Sequence, residues 1–174
     1  MDAATAIDTS VRPVEDWPAP GVTFRDVTPL LADPAAFGAV TSALRDAVTA
    51  FEPDVVVGVE ARGFIFGAPL ALELGVGFVP VRKAGKLPAD THAASYALEY
   101  GEATLEIHTD ALAPGARAVV VDDVLATGGT LGATGDLVAA CGAEVVANVV
   151  VLEIGALGGR DALAGVPLVS LRRY

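Results

Sequence analysis

The sequence predicts an α/β fold in which helices flank a central, mostly parallel sheet. Short apolar runs rich in β-branched residues recur along the 174-residue chain, a pattern typical of strands buried on both faces. Between them lie segments with apolar residues at three- and four-residue spacing, which predict amphipathic helices. Strands that alternate with helices favour a parallel sheet with right-handed crossovers, and the chain length fits a single domain over 1–174.

In chain order, we expect a frayed start over 1–9 and then an irregular segment over 11–31, which prolines interrupt. Asp33 followed by Pro34 predicts a helix start, because Asp favours the N-cap and Pro the first helical position. Apolar spacing extends this helix to about Phe51. The remaining predicted elements are strands over 54–59, 77–81, 103–107 (an edge strand), 118–121, 145–152 and 167–171, helices ending near Leu74 and Gly142, and a short helix within 155–165.

Composition excludes several classes of function. A formal net charge of −11 argues against binding to nucleic acid or to an anionic membrane surface, so an anionic substrate needs a local cluster of cations. No apolar run reaches ~18 residues, which argues against a membrane span, and the N-terminus lacks signal-peptide features. The single cysteine, Cys141, excludes an internal disulfide and is better explained as a small buried residue than as a nucleophile. We therefore expect a cytoplasmic protein.

Residues 117–131 organise the predicted fold. The strand over 118–121 is followed at once by Asp122 and Asp123, adjacent carboxylates that repel each other and need a partner such as a sugar diol or a hydrated metal ion. In the next loop, 126–130, two glycines permit close approach of a ligand and two threonines add hydroxyl donors. A helix that begins near Thr130 would add free N–H groups and its positive dipole end. Together these features predict a ribose-phosphate site; the alternative is a strand, a turn and an N-cap without a ligand.

Two other predicted strand ends carry cations. Arg62, beside Gly63, can hold phosphate oxygens with its planar guanidinium, or it can be a surface arginine paired with Glu60. The second strand end is the basic run 82–86, with three cations in five residues. Such a run is commonly a solvated face, but here it lies where an open parallel sheet binds ligands.

Residues 88–102 predict a flexible connection that acts as a lid, because they show no clear helical period between the basic run and a strand. Within it, Glu99 is either an acid/base group or an exposed carboxylate on an edge hairpin. His92 and His108 have no second metal ligand at a suitable spacing, so neither is assigned to a metal.

Four segments in matching order resemble a known family. Residues 120–130 resemble the signature of type I phosphoribosyltransferases, which use 5-phosphoribosyl-1-pyrophosphate (PRPP). Residues 24–31, 61–67 and 82–88 with 95–101 resemble the adenine branch of that family. The resemblance implies a type I phosphoribosyltransferase-like fold with an N-terminal hood over about 11–33 and a flexible lid over about 88–102.

The resemblance also implies a function and its residues. It implies a purine salvage enzyme, homodimeric and dependent on Mg²⁺ held mainly by PRPP, that converts adenine and PRPP into AMP and pyrophosphate. Glu99 and Tyr100 would be catalytic, with Glu99 managing the proton on the imidazole ring of adenine. The implied contacts are Asp122 and Asp123 for ribose; Ala126, Thr127, Gly128, Gly129 and Thr130 for the 5-phosphate; Ala61, Arg62, Gly63, Arg82, Lys83 and Lys86 for pyrophosphate; and Thr23, Phe24, Arg25 and Val124 for adenine.

Some alternatives to this assignment stay open at the level of sequence. Taken alone, Phe24 is an ordinary core aromatic, and Thr23 departs from the aliphatic residue commoner in the family. In 6-oxopurine relatives an aspartate begins the phosphate loop, and Ala126 stands at that position here, which favours adenine over hypoxanthine, guanine or xanthine. A non-catalytic PRPP sensor should carry a DNA-binding extension or a basic face, which this acidic chain lacks.

Overall fold

The structure, a computed structural model, describes residues 1–97 and 101–174. Its residues fall into two units, Met1–Ala43 and Leu44–Tyr174. The expectation of a single domain over 1–174 stays a prediction.

The first unit holds α1 (Ala3–Ser10), β1 (Arg12–Val14), β2 (Phe24–Asp26) and α2 (Thr28–Ala32), and β1 pairs antiparallel with β2. The expected frayed start is wrong, because Asp2 caps α1 by accepting a 2.8 Å hydrogen bond from the Thr5 N–H. Ala6 and Ile7 of α1 are fully buried, so tertiary packing stabilises a helix whose local pattern is weak. The segment expected to be irregular likewise contains β1, β2 and α2.

Helix α3 (Pro34–Val48) begins where the sequence predicts. The Asp33 carboxylate accepts hydrogen bonds from the N–H groups of Ala35 at 2.9 Å and Ala36 at 3.3 Å. The helix ends three residues earlier than predicted, because Thr49–Phe51 tighten into a 3₁₀ turn.

The second unit is built on one sheet. Its strands are β3 (Val55–Val59), β4 (Gly77–Lys83), β5 (Thr91–Ala97), β6 (Glu102–His108), β7 (Arg117–Leu125), β8 (Glu144–Glu153) and β9 (Leu168–Arg173). They lie in the order β5-β6-β4-β3-β7-β8-β9. The neighbours among β4, β3, β7, β8 and β9 pair in parallel, whereas β6 pairs antiparallel with both β4 and β5. The predicted α/β class with a central, mostly parallel sheet is confirmed.

Helices α4 (Arg62–Leu74), α5 (Gly129–Ala140) and α6 (Gly159–Ala162) complete this unit. Packing of α4 on β3 and β7, and of α5 on β5, β7 and β8, removes apolar surface from water, which is the main stabilising term of such a core. Every residue of β3 is buried, as its unbroken run of valine and glycine predicts. In the described part of the chain, no helix is both long and apolar enough to cross a membrane.

The predicted lid differs from expectation. The sequence predicts an irregular connection over 88–102, but Thr91–Ala97 forms β5, which pairs with β6 along its whole length. Strand β6, predicted at the edge, therefore lies inside the sheet, and β5 takes the edge. Backbone hydrogen bonds to β6 stabilise β5, and because they do not depend on the side chains, the local sequence pattern does not predict this strand.

Asp26 makes the stability of the first unit depend on pH. Its carboxylate accepts hydrogen bonds from the Thr28 N–H at 2.9 Å and from the Arg12 guanidinium at 2.5 and 3.1 Å, and these contacts lower its pKa from 3.8 to about 2. Because the pKa is lower in the folded chain, the stabilisation is fully present above pH 3.8 and is lost as the pH falls through about 2. Asp26→Asn should therefore lower the free energy of unfolding by ~1 kcal/mol at neutral pH.

Urea unfolding at a series of pH values measures this effect, and the difference from wild type should shrink in acid. The matched control is Asp46→Asn, whose carboxylate pairs with Arg45 but is 69% exposed, so its effect should stay within ~0.5 kcal/mol. If Asp26→Asn lowers the free energy of unfolding by the same amount at every pH, the pH dependence does not come from Asp26.

Candidate active site

The acidic pair lies within β7, not after its end as predicted. Strand β3 pairs with β7 only as far as Val121, whereas β8 continues to pair with it through Leu125. Asp122 and Asp123 therefore belong to a strand that is paired on one side. On its other side lies the start of α4, where a Cβ on Gly63 would come within 2.7 Å of the Val121 carbonyl oxygen. Only glycine permits this approach, which brings the predicted pyrophosphate and ribose segments together.

The two carboxylates have different surroundings. Asp123 is 3% exposed and forms an ion pair with the half-exposed guanidinium of Arg62. Asp122 accepts a 2.9 Å hydrogen bond from the Asp123 N–H. Removal from water and the neighbouring charge of Asp123 raise the pKa of Asp122 well above its ordinary value.

Arg62 is therefore not the surface arginine paired with Glu60 that the sequence allowed. Glu60 instead accepts hydrogen bonds from the Lys83 N–H at 2.9 Å and from the Arg82 guanidinium at 3.2 and 3.3 Å. These contacts, the Lys83 N–H first, lower the pKa of Glu60 below its ordinary value. Arg82 also donates to the Lys86 carbonyl oxygen at 3.1 Å, so Glu60 and Arg82 together shape the basic run.

The lysines of that run differ from Arg82. Both Lys83 and Lys86 are exposed, and within residues 1–97 and 101–174 their ammonium groups form no ion pair. They are therefore the cations of this run that can meet an anion without first losing a carboxylate partner.

The glycine-threonine loop bends around a small cavity. A cavity of about 60 Å³ is lined by residues 124–131, which connect β7 to α5. Gly128 precedes α5 with φ of +90°, a conformation that favours glycine, and no side chain caps the helix there in the described part of the chain. The first N–H groups of α5 therefore stay available beside the cavity, as an anion site requires.

Helix α6 supports this loop from outside. A Cβ on Gly159 would come within 2.3 Å of the Ala126 carbonyl oxygen, so the backbone of α6 directly contacts the loop. The next residue, Arg160, donates to the two carboxylate oxygens of Glu153 at 2.5 and 3.1 Å, and Ser170 donates to Glu153 at 2.6 Å. Glu153 is 2% exposed, and Arg160 is the main cause that lowers its pKa.

The residues predicted to contact adenine include three in the first unit. Phe24 and Arg25 belong to β2, and Thr23 precedes it and donates a 2.8 Å hydrogen bond to Glu15. The Phe24 ring packs edge-to-face on Trp17, with ring centroids 4.4 Å apart. A cavity of about 240 Å³ in this unit is lined by Val14, Trp17, Phe24 and Asp26. Val124, the fourth predicted contact, lines the small cavity of the second unit.

Two predictions cannot be compared with the structure, since Glu99 and Tyr100 lie outside the described residues. Among the described residues, no group of three or more His, Cys, Asp or Glu side chains could hold a metal ion. Asp123 is already paired with Arg62, so we assign no protein ligand to Mg²⁺, and the resemblance implies that PRPP itself mainly holds the ion.

This fold and site define a class of protein: the chain matches the phosphoribosyl transferase domain over residues 26–162. It is 61% identical over 165 residues to adenine phosphoribosyltransferase of Nocardioides sp., covering 92% of this chain and 89% of the relative. The adenine phosphoribosyltransferase of Thermoanaerobacter pseudethanolicus has a similar structure, with a TM-score of 0.95 at 46% identity over 98% of this chain and 99% of that one.

The enzyme of Saccharomyces cerevisiae, complexed with adenine and an imino-altritol bisphosphate, gives a TM-score of 0.93 at 39% identity over 97% of this chain and 98% of that one. The chain belongs to the adenine phosphoribosyltransferase family. The resemblance that the motifs indicated is thereby confirmed.

Sequence reasoning missed three groups at this site. Glu60 was considered from the sequence only as a possible partner of Arg62, although a carboxylate at the end of a predicted strand was a signal. Tyr96, whose hydroxyl contacts Thr130, lay in a segment predicted to be irregular. The pair of Glu153 and Arg160 left no local signal, because the two residues meet only after β8 and α6 pack together.

The Glu153–Arg160 pair yields a stability prediction. Glu153→Gln removes the buried charge and leaves Arg160 without its counterion, so the free energy of unfolding should fall by ~2 kcal/mol at pH 7. Because the pKa of Glu153 is lower in the folded chain, this contribution is present at neutral pH and lost in acid. Glu144→Gln is the matched control at the other end of β8, since Glu144 is 62% exposed in its pair with Arg117. Urea unfolding of both variants is the measurement, and equal losses would contradict the prediction.

Proposed function

We propose that this protein transfers the 5-phosphoribosyl group of PRPP to adenine, giving AMP and pyrophosphate, as a purine salvage enzyme of the cytoplasm. The observation that carries the proposal is the continuous run of acidic pair, Gly/Thr loop and helix start in a chain of the adenine phosphoribosyltransferase family. Ala126 at the start of the loop supports adenine, because 6-oxopurine relatives carry an acid there. Cell fractionation tests the proposed compartment.

We propose that Asp122 and Asp123 bind the ribose hydroxyls and that the loop from Ala126 to Thr130 binds the 5-phosphate. Support comes from their place on β7, where Asp122 and Asp123 lie side by side close to Arg62 of the proposed pyrophosphate segment. The N–H groups at the start of α5 and the hydroxyls of the loop are suitable donors for an anion. Fixing the sugar at both ends would orient its anomeric carbon for attack.

Pyrophosphate is a highly charged leaving group, and we assign its neutralisation to a set of cations and backbone groups. Lys83 and Lys86 can approach it directly, whereas Arg62 and Arg82 must exchange a carboxylate for a phosphate. Mg²⁺ bound with PRPP would supply further charge neutralisation as pyrophosphate departs. The complete proposed set is Ala61, Arg62, Gly63, Arg82, Lys83 and Lys86.

For the base, we propose contacts from Thr23, Phe24, Arg25 and Val124. The aromatic cavity beside Phe24 supports this role, because a flat heteroaromatic ring stacks well on aromatic side chains. We propose that Glu99, assisted by Tyr100, manages the proton on the imidazole ring of adenine as the glycosidic nitrogen attacks. Closure of the segment that carries Glu99 would exclude water from the reaction.

Base preference is the first test. Purified protein with PRPP and Mg²⁺ should form product with adenine far faster than with hypoxanthine, guanine or xanthine, because no acid stands at Ala126 to serve a 6-oxopurine. Chromatography of the nucleotide products measures this preference, and chelation of Mg²⁺ should abolish the reaction. Comparable turnover with hypoxanthine or guanine would overturn the assignment of adenine.

The role of Glu99 is tested by Glu99→Gln, which keeps size and loses the charge. The chemical step should slow by ~10²-fold or more, the usual scale of general acid–base catalysis, while substrate binding changes little. Asp123→Asn is the contrasting variant, because it should both weaken PRPP binding and lower the rate. Single-turnover measurements at saturating PRPP separate chemistry from product release. An undiminished chemical step in Glu99→Gln would assign the proton to another group.

We also propose that the protein is a homodimer. Ile65 and Leu72 of α4 are 40% and 83% exposed, and their seven-residue spacing puts them on one face of the helix. Light scattering should give twice the 17.5 kDa of the chain, and Leu72→Glu should shift the protein toward the monomer. A 17.5 kDa particle for the wild-type enzyme under active conditions would contradict the proposal.

A further inference from the structure

Tyr96 of β5 contacts the first turn of α5. The Thr130 hydroxyl donates a 3.0 Å hydrogen bond to the Tyr96 hydroxyl oxygen. The Tyr96 ring lies over Gly129, where a Cβ would come within 2.7 Å of a ring carbon. Tyr96 is thus a half-buried aromatic side chain that reaches from the edge strand of the sheet to the glycine-threonine loop.

The chemistry of the two hydroxyls decides what this contact can do. Each hydroxyl has one proton to donate and two lone pairs to accept with. A phosphate oxygen without a proton only accepts, so a phosphate in the loop would accept a hydrogen bond from the Thr130 hydroxyl. The Thr130 oxygen could then accept a hydrogen bond from the Tyr96 hydroxyl, and a phenol is a stronger donor than an aliphatic alcohol. In such a chain each hydrogen bond polarises and strengthens the next.

We propose that Tyr96 is a positioning residue for the 5-phosphate of the substrate: its hydroxyl donates a hydrogen bond to the Thr130 oxygen, so that the Thr130 hydroxyl donates to the phosphate. This rests on the proposed function of the loop.

The contrasting role is packing alone, in which the Tyr96 ring covers Gly129 and its hydroxyl is incidental. Tyr96→Phe separates the two, because it keeps the ring and removes only the hydroxyl. The matched control is Ser95→Ala on the same strand, which removes an exposed hydroxyl that lies 2.7 Å from that of Thr104. Strand neighbours point to opposite faces, so this control leaves the loop contact untouched.

The experiment is calorimetric titration of wild type, Tyr96→Phe and Ser95→Ala with ribose 5-phosphate and, separately, with inorganic pyrophosphate. Tyr96→Phe should bind ribose 5-phosphate about fivefold more weakly, the scale of one neutral hydrogen bond, and should bind pyrophosphate as wild type does. Ser95→Ala should match wild type with both ligands. In a double-mutant cycle with Thr130→Val, the two losses should not add, because both remove the same chain of hydrogen bonds.

Other outcomes overturn the inference. Wild-type affinity of Tyr96→Phe for ribose 5-phosphate, in a preparation whose parent forms AMP, would show that Tyr96 only packs. Equal losses for ribose 5-phosphate and pyrophosphate would assign the effect to general destabilisation. If the parent neither forms AMP nor binds ribose 5-phosphate, the proposed function fails, and the role of Tyr96 fails with it.

Discussion

Asp123 is a carboxylate that β7 carries almost out of reach of water, and such a group is stable only beside a counterion. Arg62, the first residue of α4, provides that counterion. The approach depends on Gly63, whose missing side chain lets the start of α4 lie against the Val121 carbonyl. One close contact therefore brings the acidic pair and the proposed pyrophosphate segment together, and substitution at any of these positions would disturb both.

The same pairing of charges governs the rest of the site. In a chain with a net charge of −11, two arginines of the site are each paired with a carboxylate, Arg62 with Asp123 and Arg82 with Glu60. A phosphate ligand at these arginines would have to displace or share those carboxylates, which would favour ligands that carry several charges over a single weak anion. Lys83 and Lys86, which form no ion pair with any described residue, would need no such exchange.

The glycine-threonine loop is short, and its shape depends on neighbours that are distant in sequence. Helix α6 contacts its backbone from one direction through Gly159, and Tyr96 covers Gly129 from another. The ion pair between the buried Glu153 and the partly exposed Arg160 connects α6 to β8. A loop supported in this way can present N–H groups to an anion with little reorganisation, which is what electrostatic binding and catalysis require.

The sequence by itself determined the α/β class, the start of α3, the positions of most strands and the run of acidic pair, loop and helix, because each depends on local periodicity or local capping. It could not determine that β7 extends through Asp122 and Asp123, since that follows from pairing with β8 beyond the end of β3. Likewise β5, the Asp123–Arg62 pair and the Tyr96–Thr130 contact exist only because residues far apart in the chain satisfy one another's charges and hydrogen bonds. Those partnerships depend on distances in space, and only tertiary packing sets them.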